Sequence, residues 1–93
     1  MELKPEQLTV IEDMAAHFMT VEEIAIMIEV DFVEFARLIA DHSSAASKIY
    51  YKGKVASKLE YRRKVVKMAK AGSPQAETLV NEFIDDQQLK EDL

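Results

Sequence analysis

The stretch 20–41, TVEEIAIMIEVDFVEFARLIAD, constrains this fold more than any other part of the chain. Thr20 followed by Glu23 has the form of a capping box, in which hydroxyl and carboxylate each satisfy a free backbone N–H of the first turn. Asp31 followed by Glu34 supplies a second helix start. Ile24 and Ile28 fall on one face of the first helix, and Phe35, Leu38 and Ile39 on one face of the second. Small Ala25 lets the two helices approach closely, and Val30 in the turn fills the space between them.

This spacing resembles the helix-turn-helix, a unit that lays its second helix in a DNA groove. Ala25, Val30, Phe35 and Leu38 match the pattern, and Ile24 and Ile28 take its other core places. The turn position usually held by Gly is Glu29. A left-handed backbone there costs Glu a penalty that Gly escapes. The bland alternative is any pair of packed amphipathic helices.

The remaining elements follow from the same signals. Pro5 suits the first turn of a helix, and Leu8, Ile11, Ala15 and Phe18 recur at helical spacing, widened by Met14 and Met19. A first helix is therefore expected over residues 5–19. Ser43 or Ser44 caps a fourth helix that meets no firm stop until Gly72. Gly53 is its weak point, worth about 1 kcal/mol against Ala, and a place where the helix is able to divide in two. On the wheel of this helix, Tyr51, Val55, Leu59, Val66 and Ala69 make one apolar stripe. Tyr50, Tyr61, Val65 and Met68 lie on another side. Two stripes call for two packing partners. Gly72-Ser73-Pro74 then combines a helix stop, an N-cap and a first helical residue. Ala76, Leu79, Val80, Phe83 and Ile84 define the last helix, to about Gln88, antiparallel to the long one because the connector is short. The tail from Gln87 is polar and acidic and is expected to fray. The expected architecture is all-α: a tri-helical helix-turn-helix head over residues 1–42, then a long-helix antiparallel hairpin over 43–93 as an oligomerisation region.

The net charge of −5 is unevenly distributed. Residues 1–41 carry ten acids against Lys4 and Arg37, residues 42–71 nine bases against Glu60 alone, and residues 72–93 six acids against Lys90. Such blocks imply a basic element offered to a polyanion, or acidic and basic parts that neutralise each other within an oligomer. A chain of 93 residues makes one small domain, burying about 60–65% of its unfolded surface. No run approaches the roughly 20 apolar residues that cross a bilayer, and no secretory signal is visible at the N-terminus. There is no cysteine. These features fit a cytoplasmic setting without membrane partners.

Chemistry is sparse. His17 and His42 are too few and too far apart for a metal site, and no Gly-rich phosphate loop occurs. Asp41-His42-Ser43 contains triad residue types, but neighbours in sequence do not converge as a relay requires. The pairs Glu22-Glu23 and Asp85-Asp86 read as solvated helix faces. The chain is not expected to be an enzyme or to hold a cofactor.

The segments TVEEIAIMIEVDFVEFARLIADHSSA and YKGKVASKLEYRRKVVKMAKAGSPQAETLV together resemble the small terminase subunits of tailed bacteriophages. The likeness spans about residues 8–84 and rests on a helix-turn-helix head, a long helix with an internal Gly, and a G-S-P turn into a last helix. It implies a homo-oligomeric, ring-forming subunit in the host cytoplasm. Such a subunit recognises viral duplex DNA at the start of packaging and presents it to the large, ATP-hydrolysing terminase subunit.

The outward positions of the second helix of the motif are Asp31, Phe32, Val33, Ala36 and Arg37, with Glu34 close by. Carboxylates repel phosphates, which leaves Arg37 as the one side chain there suited to a base edge or a phosphate. Lys48, Lys52, Arg63, Lys67 and Lys70 fall within about a 100° arc of the long helix and are the expected phosphate contacts. Tyr51, Val55, Leu59 and Val66 are the expected oligomer interface, on the premise that Tyr50, Tyr61 and Met68 are buried elsewhere. Two readings stand. One is a DNA-packaging subunit; the other is a helical virion or regulatory protein that uses the hairpin for protein contacts without specific DNA recognition.

Overall fold

The computed structural model describes residues 1–92 and is all-α: α1 (Pro5–Ala16), α2 (Val21–Met27), α3 (Phe32–Ala40), α4 (Ala45–Lys70) and α5 (Pro74–Glu91). Its contacts divide into two compact units, Met1–Lys58 and Leu59–Leu93, and α4 contributes to each.

In the first unit the caps act as their residue types dictate. The Glu23 N–H donates to the Thr20 hydroxyl at 3.1 Å, and the Thr20 N–H to the Glu23 carboxylate at 2.9 Å. Asp31 accepts from the Glu34 N–H at 3.0 Å. Helix α2 ends with Glu29 at φ 58°, and the Val30 N–H reaches back to the Ala25 carbonyl at 3.0 Å. This is the Schellman closure, and it brings Val30 toward Ala25, the position that such a motif packs against. Gln7 links α1 to α2: its side-chain carbonyl accepts from the Lys4 N–H at 2.8 Å, and its amide donates to the Ile28 carbonyl at 3.1 Å. One orphan donor and one orphan acceptor of two helix ends are satisfied by a single side chain.

The core of this unit is Ile11 and Ala15 of α1, Ile24, Ala25 and Ile28, Phe35 and Ile39 of α3, and Ala46 and Tyr50 of α4. Val30 and Leu38 pack against it partly buried. The helical head expected to end at residue 42 therefore recruits the first half of α4, and the compact unit runs to Lys58.

The end of α1 and the place of Phe18 differ from expectation, while the long fourth helix is continuous as expected. Helix α1 ends at Ala16, not at residue 19. Phe18 has φ 61° and is 63% exposed, because it is the left-handed residue of the α1 C-cap and no longer follows the helical period. Gly53 does not divide α4, which is one helix through this position. Gly53 is buried; a Cβ there would stand 2.5 Å from the Glu12 carbonyl oxygen and 3.3 Å from the Ala15 Cβ. The glycine is an approach site between α1 and α4. Of the two serines offered as the α4 cap, Ser44 serves: its hydroxyl accepts from the Ser47 N–H at 3.0 Å and donates to the Leu38 carbonyl at 2.8 Å. Ser43 is held instead by Asp41.

In the second unit, α4 and α5 pair antiparallel through the turn at Gly72, whose φ is 100°. Ser73 caps α5 by accepting from the Ala76 N–H at 3.3 Å. Val65 and Ala76 are buried. The Tyr61 and Phe83 rings meet edge to face at 6.3 Å, and the Arg62 guanidinium lies 4.3 Å from the Phe83 centroid and 3.7 Å from Asp86. Tyr61 and Met68 are exposed, so the premise that both are buried fails. Helix α5 continues to Glu91, past the expected end near Gln88.

Candidate nucleic-acid interface

Helix α3 presents its first turn to solvent with Phe32 and Val33 exposed. Asp31 is tied to the N-cap, and Glu34 lies beside it in the first turn. Arg37 is exposed and shares a recess of about 380 Å³ with Met1, Glu34, Leu38 and Asp41. The Asp41 carboxyl sits below its usual range, because the Ser43 hydroxyl donates to it at 2.6 Å, its N–H adds a second bond at 3.1 Å, and His42 contributes a weaker pull. Arg37 thus works in a field of two carboxylates, which lowers its pull on a phosphate. This helix end is acidic and apolar, as its residue types foretell.

On the first half of α4, Lys48 and Lys52 are exposed one turn apart. Lys54, which the wheel leaves out of the cationic arc, stands over two rings, 5.2 Å from Tyr50 and 5.7 Å from Tyr51. Such contacts hold a cation in place. Tyr51 is exposed and Val55 is 63% exposed, so both expected interface residues of this unit are uncovered.

In the second unit Arg63, Lys67 and Lys70 come together. With Arg62 they border a recess of about 420 Å³ whose apolar part is Leu59 and Val66. Leu59 is 48% exposed and Val66 half-buried. Among the described residues no carboxylate lies within 4.0 Å of Arg63, Lys67 or Lys70; Arg62, by contrast, is engaged with Asp86 and Phe83. Two sets expected to serve different partners, the phosphate contacts and the oligomer contacts, therefore share one face of α4 in this unit.

A second concave surface was not legible in the sequence. The C-terminal turn of α1 and helix α2 enclose a groove of about 470 Å³ lined by Asp13, Met14, His17, Met19, Glu23, Ile26 and Met27. Ile26 and Met27 are 67% and 64% exposed. Their place off the Ile24–Ile28 face is the one sequence signal that could have found it. His17 lies at its edge, Nδ1 2.7 Å from the Asp13 carbonyl oxygen and 3.5 Å from its carboxylate.

No group of three or more ligating side chains is placed to hold a metal among the described residues, and no described helix is long and apolar enough to cross a membrane. None of the family models, curated proteins or solved structures compared with the chain matches it.

Proposed function

We propose that the protein is a DNA-binding packaging subunit of the small-terminase kind, self-associating and presenting duplex DNA to a large terminase subunit. The observation that carries the reading is the unpaired cationic face of α4 in the second unit, Arg63, Lys67 and Lys70. A helix turn advances about 5.4 Å, so cations at 63, 67 and 70 follow a line of phosphates rather than a base edge. Backbone contacts of this kind supply affinity and position, with little sequence information. The helix-turn-helix head then serves as a packing unit, with Arg37 its one donor suited to a base.

An anisotropy titration of viral and random duplex over a series of salt concentrations tests this. Each phosphate neutralised contributes about −0.9 to the slope of log affinity against log salt. Replacing Arg63, Lys67 and Lys70 with Ala flattens the slope by about 2–3 and weakens all sequences alike. Arg37→Ala costs about 1–3 kcal/mol on the viral site alone if it reads a base. An unchanged slope in an oligomer of unchanged size overturns the proposal. The acidic, apolar start of α3, with Phe32 and Val33 exposed, favours the second reading: an assembly protein whose head meets another protein and no DNA.

A further inference from the structure

The groove of the first unit and the cationic face of the second unit are both apolar at the centre and carry flanking charges of opposite sign. The groove has an apolar floor of Met14, Met19, Ile26 and Met27, with Asp13 and Glu23 beside it. The Thr20 N–H donates to the Glu23 carboxylate and orients it, and hydrogen bonding to Thr20, chiefly through this N–H, holds the carboxyl below its usual range, so it is ionised at neutral pH. The α4 face offers an apolar pair, Leu59 and Val66, bordered by Arg63, Lys67 and Lys70. An amphipathic helix laid in a groove buries one apolar stripe against another while the flanking charges pair. Methionines suit such a floor because their unbranched, polarisable side chains adapt to the partner.

We propose that the groove formed by α1 and α2 of one copy receives the Leu59–Lys70 face of α4 of a second copy. The occupant is this chain itself, because its own sequence carries a surface complementary in charge and in apolar character. The two surfaces are different, so the contact is heterologous, and a docked pair keeps one free groove on one copy and one free face on the other for the next. This goes beyond the DNA reading and does not depend on it. Where both hold, duplex and a neighbouring groove are alternative occupants of the same cations, and the acidic groove stands in for the nucleic acid.

The test uses two variants of the full chain. Asp13→Lys spoils the groove at an exposed position outside every cap. Arg63→Glu with Lys67→Glu spoils the face, also at exposed positions. Circular dichroism establishes that both stay helical. By light scattering after gel filtration, the wild type is expected to exceed a monomer at tens of micromolar, and each variant to lose mass. An equimolar mixture of the two is expected to recover a species with one copy of each, because one variant retains the groove and the other the face. That mixed species does not grow further, since its remaining groove and face are both spoiled. A monomeric wild type, variants that keep the wild-type mass, or a mixture no larger than its parts overturns the inference. Duplex binding is read separately on the Asp13→Lys variant, whose cationic face is intact. A mixed species without duplex binding upholds the docking and removes the DNA proposal. Duplex binding without a mixed species does the reverse.

Discussion

Glu29 holds a φ of 58° in the turn between α2 and α3, where an L-residue with a side chain meets its own carbonyl and loses about 1–2 kcal/mol. The turn persists because the geometry closes α2 through the Val30 N–H and brings Val30 onto the core. Glu29→Gly removes the clash, keeps the closure and forfeits only the exposed carboxylate. The expected outcome is a gain of about 1 kcal/mol, less the added freedom that Gly gives the unfolded chain, read as a higher urea midpoint at unchanged slope. A lower midpoint would mean that the Glu29 side chain makes a contribution of its own. The departure from Gly was visible in the sequence, because the Ala25-to-Val30 spacing assigns position 29 to the turn. Phe18 has the same backbone at φ 61° but was not foreseen there. Its spacing from Ala15 continues the helical period, and nothing in the residues 16–19 announces the stop.

Gly53 shows how the same residue type carries opposite meanings in an isolated helix and a packed one. Judged by propensity, Gly53→Ala stabilises α4 by about 1 kcal/mol. In the folded unit the added Cβ runs into the Glu12 carbonyl oxygen at 2.5 Å, which is backbone and moves only with α1. Overpacking of this kind costs about 1–3 kcal/mol. The substitution is therefore expected to lower the melting temperature, and a higher one would show that α1 shifts freely. The start of α2 gives a second test, in pH. Thr20 lowers the Glu23 carboxyl below its usual range, mainly through its backbone N–H and next through its hydroxyl. A group whose folded-state pKa is depressed stabilises the fold above its unfolded pKa, and that contribution is lost as pH falls through the folded value. Glu23→Gln preserves an acceptor for the Thr20 N–H but does not titrate. Thermal melts from neutral pH into the acid range should then show a shallower loss of stability in the variant than in the wild type. Identical profiles would remove the capping box as a source of acid sensitivity.

The charge blocks of the sequence reappear as surfaces with definite neighbours. Ten acids in residues 1–41 leave α3 with one cation among carboxylates, and two of those acids border the methionine-lined groove. The nine bases of residues 42–71 separate by the company they keep. Lys54 stands over tyrosines, Arg62 is held by Asp86 and Phe83, and Lys64 lies 3.9 Å from Glu60. Lys48, Lys52 and Lys58 are exposed in the first unit, and in the second Arg63, Lys67 and Lys70 are left facing solvent beside Leu59 and Val66. That sorting determines which cations are offered to duplex DNA or to a neighbouring groove, and both uses draw on one face. The all-α class, the caps at Thr20, Asp31, Ser44 and Ser73, and the packed face of α2 and α3 were already readable in the order of residues. Each depends on contacts within a turn or two of chain, where residue type and spacing suffice. The role of Gly53, the shelter of Tyr50 in the head, the exposure of Tyr61 and Met68, and the groove at Met14 and Met27 depended on folding. Each of these is set by what a distant segment brings within a few ångströms, and a helical wheel records direction but not the neighbour that occupies it.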